Sequence, residues 1–96
     1  MQDARLVKAN LRWFVKKMQE KLLLPKNMEK VDWRDLKLRD NLLGIENEYR
    51  ELQDAYNRLN SVFPTRTPND VIEECVDVAN RAMMLADQLN SFSKKK

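Results

Sequence analysis

Apolar side chains recur every three or four residues through three long segments of this 96-residue chain. That period matches one face of an α-helix, which completes a turn every 3.6 residues. The chain has one Gly and three Pro, with 34% charged and 43% apolar residues, a balance typical of a helical protein rather than a sheet or a disordered chain. We therefore predict an all-α fold, a bundle of three main helices over residues 4–24, 33–60 and 68–91.

Local signals set the expected ends of these helices. Pro25 disfavours helix at the residue before it, so the first helix should end near residue 24. Asp32 is a candidate cap for the second helix, and Thr67 with Asp70 forms a typical start for the third. Gly44 lies inside the second helix and predicts either a kink or break near residues 40–44, or close packing against a neighbour.

Length limits the core that the chain can build. We expect one small domain over residues 1–93, followed by a basic tail, 94–96. Three short helices bury a modest core, so we expect the bundle to be completed by oligomerisation, as a dimer or a tetramer. The sequence has neither a long apolar run of about 18 residues nor an N-terminal secretory pattern, which predicts a cytoplasmic protein without membrane contact.

Composition excludes several classes of chemistry. The chain has no His, which removes serine and cysteine nucleophile–histidine pairs and His-ligated zinc. A single Gly also excludes the usual glycine-rich phosphate loops. Residues 1–40 carry eleven basic and six acidic residues, whereas residues 41–96 carry seven and nine. Carboxylates with a metal, or lysines, remain as the plausible basis of catalysis.

Two acidic pairs, each spaced i to i+3, lie on the second and third predicted helices. Residues three apart share a helix face, so each pair can direct two carboxylates at one point. If the two helices pack side by side, four oxygen donors converge, which suits a hard divalent cation. The pairs are Glu48 with Glu51, and Glu74 with Asp77.

Another interpretation of the pairs needs no metal. Acidic pairs at this spacing are common on exposed helices, where arginines neutralise them in salt bridges worth about 0–1 kcal/mol each. Arg50, Arg58 and Arg81 are close enough in sequence to do so.

Taken with its surroundings, the pattern resembles the all-α nucleoside triphosphate pyrophosphohydrolases of the MazG type. Their hallmark is a Glu-x-x-Glu helix, a variable gap and a Glu-x-x-Asp helix, which correspond here to IENEYRELQDA and NDVIEECVDVANRAMMLAD. The segment from Met18 to Trp33 is similar to a version in phage-type and archaeal relatives. The resemblance covers most of residues 11–92 and departs from the family pattern at Glu29 and Arg81.

The resemblance implies an Mg²⁺-dependent enzyme that hydrolyses an NTP or dNTP to a nucleoside monophosphate and pyrophosphate. It also implies a MazG-like four-helix-bundle core completed by a homo-oligomer. Mn²⁺ is the expected substitute metal, and Glu51 and Glu48 are the expected catalytic residues. The metal ligands implied are Glu48, Glu51, Glu74 and Asp77. The substrate contacts implied are Asn80, Lys30, Asn27, Trp33, Lys21 and Lys17.

Two further readings of the sequence remain open. A non-enzymatic helical module would bind nucleic acid or an acidic partner through its basic first helix and tail, with steep salt dependence and no need for Mg²⁺. A catalytically inactive relative would keep the bundle and use its acids in salt bridges. Under the hydrolase reading, a nucleic acid partner is not expected.

Overall fold

The computed structural model describes residues 3–28 and 32–94, which are helical apart from short connections and contain no strand. The helices are α1 (Ala4–Leu22), α2 (Pro25–Met28), α3 (Leu38–Leu59) and α4 (Pro68–Lys94), with a 3₁₀ turn at Trp33–Asp35. The all-α prediction is confirmed for these residues. Within the same ranges, no helix combines the length and the apolar character needed to cross a membrane.

The chain divides into two compact units, Met1–Lys30 and Val31–Lys96. In the first unit, the Asp3 side chain accepts a hydrogen bond from the Arg5 backbone N–H and caps α1. Pro25 is the first residue of α2. A backbone N–H at this position has no partner within the helix, so its absence in proline does not destabilise the helix. The Asn27 side-chain amide donates to the Lys21 carbonyl at 2.7 Å and fixes α2 to the end of α1.

The second unit is built on the antiparallel pair of α3 and α4. The start of α4 follows the sequence prediction: the Asp70 carboxylate accepts from the Thr67 backbone N–H and hydroxyl, while the Thr67 hydroxyl accepts from the Asp70 N–H. These hydrogen bonds satisfy donors that the first helical turn leaves open. They also lower the pKa of the Asp70 carboxyl.

A network of side-chain amides closes the other end of the pair. The Asn41 amide donates to the Gln88 side-chain oxygen at 2.7 Å and to the Trp33 carbonyl at 2.9 Å. The Gln88 amide donates to the carbonyls of Leu36 and Arg34. Both side chains are almost completely buried. Buried amides need such partners, because an unsatisfied polar group loses its hydration without compensation.

This network explains where the second predicted helix departs from expectation. The helix does not begin at Trp33: Asp32 caps only a 3₁₀ turn, and Leu36 and Lys37 are extended before α3 starts at Leu38. Because Gln88 binds the carbonyls of residues 34 and 36, they do not accept from a continuing helix. α3 runs unbroken through residues 40–44, so the interruption expected there lies at residues 36 and 37 instead.

The amide network should contribute strongly to stability. We expect Asn41→Ala to lower the free energy of unfolding by about 1–3 kcal/mol, because it leaves the buried Gln88 side-chain oxygen without its donor and removes one of the two donors to the Trp33 carbonyl. Urea denaturation at neutral pH measures this change, with Gln53→Ala at an exposed position of α3 as the control. Equal stability of the two variants would contradict the role given to the network.

Candidate metal centre

Three carboxylates from α3 and α4 converge midway along the helix pair. Oxygen atoms of Glu48, Glu74 and Asp77 all lie within 4.8 Å of one another, and each residue is partly buried. Glu48 comes from α3, whereas Glu74 and Asp77 lie one turn apart on α4 and therefore share a face. The two helices thus bring together three of the four acids that the sequence singles out.

The fourth acid, Glu51, lies beside the cluster without completing it. It is exposed on α3, and its carboxyl hydrogen-bonds with that of Glu48. Glu51 is not part of the group whose oxygens meet within 4.8 Å. The assignment of Glu51 as a metal ligand therefore stays a prediction. Its exposed carboxyl group suits contact with a substrate or with water.

Glu48 is held in an unusual electrostatic environment. Its Oε2 atom is buried and has no hydrogen-bond partner. Burial is the main cause that raises the pKa of Glu48 from 4.5 to about 7, assisted by the hydrogen bond with Glu51 and by the negative charge of Asp77. A carboxylate that lacks hydration or a donor favours either a proton or a cation.

Arg81 partly offsets this effect on Glu48. Its Nε atom lies 4.0 Å from Glu48 Oε1, and its positive charge opposes the rise in the pKa of Glu48. The Arg81 side chain lies against Gly44 of α3, where a Cβ atom would come within 3.2 Å of its Nη1. Gly44 therefore has the close packing that the sequence offered as an alternative to a kink.

The donor set fits a hard divalent cation. All three converging groups are carboxylates, and oxygen donors are the ligands that Mg²⁺ and Mn²⁺ prefer. The buried Oε2 atom of Glu48 could serve as a ligand to such a cation, because no protein group forms a hydrogen bond with it. Arg81 lies at the limit of ion-pair distance from Glu48.

The other predicted substrate residues lie in several places. Asn80 is buried on α4, one turn after Asp77. The Trp33 indole N–H donates to Asp87 Oδ2 at 2.8 Å. Asp87 lies about 15 Å beyond Asp77 along the axis of α4. The structure therefore uses Trp33 to attach the 3₁₀ turn to α4, and its contact with a substrate stays a prediction.

The remaining predicted contacts belong to the first unit or fall outside the description. The Lys17 ammonium lies 5.7 Å from the centre of the Trp13 ring. Lys21 and Asn27 take part in the contact between α1 and α2. Lys30 lies outside the described residues. The substrate roles of these four residues stay predictions.

Sequence reasoning missed the polar residues that attach α3 and the 3₁₀ turn before it to α4. The Arg34 guanidinium donates two hydrogen bonds to Asp87, at 2.8 and 2.9 Å, and Gln88 is one of the most buried side chains. The sequence did contain a signal for the burial of Gln88. This residue lies seven positions, about two helical turns, after Arg81 and so extends the strip of polar residues on α4 that begins at Glu74. An extended polar strip on a helix can mark a buried contact as well as a solvated face.

No known protein family, no curated protein and no solved structure shows a significant match to this chain.

The pKa of Glu48 predicts how stability depends on pH when divalent ions are removed. Between about pH 4.5 and 7 the folded protein holds a proton on Glu48 that the unfolded chain releases, so the free energy of unfolding should fall as pH rises. Glu48→Gln should remove this dependence and should be more stable than the wild type at pH 8, by about 1 kcal/mol after allowance for solvent screening.

Urea denaturation with a chelator at pH 5, 6, 7 and 8 measures the effect. Glu46→Gln, at an exposed position on the same helix, is the matched control and should keep the wild-type pH profile. A parallel profile for Glu48→Gln and the wild type would show that Glu48 does not cause the slope.

Proposed function

We propose that this chain is an Mg²⁺-dependent nucleoside triphosphate pyrophosphohydrolase. The observation that carries the proposal is the convergence of Glu48, Glu74 and Asp77, with a buried Glu48 oxygen that no protein group engages. Their arrangement on two antiparallel helices agrees with the motif spacing on which the sequence resemblance rests. The expected products are a nucleoside monophosphate and pyrophosphate.

The proposed roles follow from the position of each residue. Glu48, Glu74 and Asp77 would hold Mg²⁺, or Mn²⁺ in its place, which would neutralise phosphate charge and act as a Lewis acid when bound. Glu51, exposed beside them, would orient or deprotonate the attacking water. Asn80, buried one turn after Asp77, would support the ligand face of α4. Water adds to the α- or the β-phosphorus and gives up a proton, and the phosphoanhydride bond between these two phosphorus atoms breaks to release the nucleoside monophosphate and pyrophosphate.

Ligand substitutions provide the direct test. The wild type with Mg²⁺ should release pyrophosphate from at least one member of a panel of NTPs and dNTPs. We expect Glu74→Gln and Asp77→Asn each to reduce the rate at least about 100-fold, because each removes a charged oxygen donor from the cation. Glu46→Gln, outside the cluster, should retain activity. Full turnover by Asp77→Asn would exclude this ligand assignment.

Metal binding can be measured without turnover. At a free Mg²⁺ concentration about ten times its dissociation constant, the wild type should gain about 1.4 kcal/mol of stability, because the ion binds the folded state. Asp77→Asn should lose this gain, and Glu46→Gln should keep it. No stabilisation of the wild type by Mg²⁺ or Mn²⁺ would contradict the metal site and favour the salt-bridge interpretation.

We also propose that the protein is a homo-oligomer. The support is a row of apolar residues along α3, spaced alternately four and three apart, a pattern typical of helices that pack against another helix. Four members of this row, Leu38, Leu42, Tyr49 and Tyr56, are 40–55% exposed. The row consists of Leu38, Leu42, Ile45, Tyr49, Leu52, Tyr56 and Leu59.

Tyr49→Glu and Tyr56→Glu test this assembly. A charge at the middle of the row should shift the mass towards the monomer, because a buried interface disfavours an unpaired carboxylate. Light scattering coupled to size-exclusion chromatography measures the mass, with Asn47→Glu, at an exposed position on the opposite side of α3, as the control. A wild-type mass equal to that of one chain would contradict the assembly.

A further inference from the structure

A polar cavity of about 460 Å³ lies next to the three carboxylates in the second unit. It is lined by Arg50, Glu51, Asp54, Ala55, Arg66 and Glu74. Glu74 also belongs to the candidate metal centre, so the cavity and the centre share a wall. From position 48 to position 55, α3 advances about 10 Å, which gives the combined space room for a chain of two or three phosphate groups.

The cavity carries two arginines from different parts of the chain. Arg50 lies on α3, between two of the acids in sequence, and Arg66 lies in the connection just before α4. The hydrogen bonds between Thr67 and Asp70 fix the backbone next to Arg66. Neither arginine takes part in the ion pairs found among the described residues. Both guanidinium groups are therefore available to an anion.

The charges of the lining indicate when an anion would bind. Asp54 is paired with Arg58 at 2.9 Å, which balances its charge. Glu51 and Glu74 then balance Arg50 and Arg66, so the lining is close to neutral. A divalent cation bound at the wall that the cavity shares with the three carboxylates would give the cavity a net positive charge. Anion binding in this cavity should therefore depend on the metal.

We propose that Arg50 and Arg66 bind the phosphate chain of the nucleotide. Guanidinium groups suit this task because their planar donors match phosphate oxygens in pairs. The described residues of the lining are mostly charged, which suits phosphate groups better than a base. This inference rests on the proposed function, and it assigns the phosphate contact to residues of the second unit alone.

Inorganic tripolyphosphate is the probe for a binding test by isothermal titration calorimetry in excess Mg²⁺. We expect Arg50→Gln and Arg66→Gln each to weaken binding about tenfold, and the double variant more, because each removes charge-assisted hydrogen bonds. Arg39→Gln, an exposed arginine near the start of α3 and outside the cavity, should change the affinity less than about twofold. A chelator should abolish binding to the wild type.

Unchanged affinity in the double variant, or no binding to the wild type in Mg²⁺, would overturn the assignment. Circular dichroism should be the same for all variants, because both arginines are exposed.

The hydrolysis assay separates this inference from the proposed function. If the wild type hydrolyses a nucleotide, the double variant should raise KM about tenfold or more with a smaller effect on kcat. Hydrolysis with an unchanged KM in the double variant would overturn the arginine assignment alone. Arginine-dependent binding of tripolyphosphate without hydrolysis of any nucleotide would support the anion subsite and contradict the proposed function.

Discussion

The polar contact between α3 and α4 is the constraint on which the second unit depends. Among the described residues, the fully buried apolar side chains are Ala55 and Val76, whereas Asn41, Asn80 and Gln88 are buried and polar. Apolar packing specifies how much surface is covered but tolerates small shifts of one helix along another. Hydrogen bonds do not tolerate such shifts, because a displaced amide loses its partner without regaining water. The amide network therefore fixes the register that brings the carboxylates together.

That register places like charges at close range. Three carboxylates near one another repel, and the desolvation of Glu48 adds to the cost of keeping them ionised. A proton on Glu48 or the nearby guanidinium of Arg81 relieves part of this repulsion. A divalent cation would relieve more of it, and would do so at pH values where the proton is lost. A metal site built in this way would lower the stability of the free protein and raise its affinity for the cation, a relation that is common at functional centres.

Sequence reasoning identified the helices and the converging acids because both follow from short, periodic patterns. The spacing of Glu74 and Asp77 on one helix determines that they share a face, whatever the rest of the chain does. The start of α4 at Thr67 and Pro68 likewise depends on neighbours in sequence. By contrast, the extended residues before α3 depend on Gln88, more than fifty positions away. Local patterns carry no information about such a partner.

The cavity beside the acids was not predictable for a similar reason. Arg50 and Arg66 lie in different segments, Arg50 at a variable position inside the Glu-x-x-Glu motif and Arg66 in the connection before α4. Their proximity arises only when α3 and α4 pair with the observed register. Tertiary packing also decides the exposure of Glu51, which shares a motif with the partly buried Glu48 but is itself exposed. Helical periodicity limits the faces that residues can share, and tertiary packing decides which of these faces is covered.

The absence of a side chain at Gly44 has a consequence for how this protein can diverge. Because Gly44 has no Cβ atom, the Arg81 side chain can pack against the backbone of α3 at this point. The Cδ and Cζ atoms of Arg81 lie 3.3 Å from the position that a Cβ atom at residue 44 would occupy. A shorter residue at position 81 would leave that space empty, and a larger one at position 44 would push the guanidinium away from Glu48. We expect the two positions to change together in descendants of this sequence, with an aliphatic residue at 81 accompanied by alanine or a larger residue at 44.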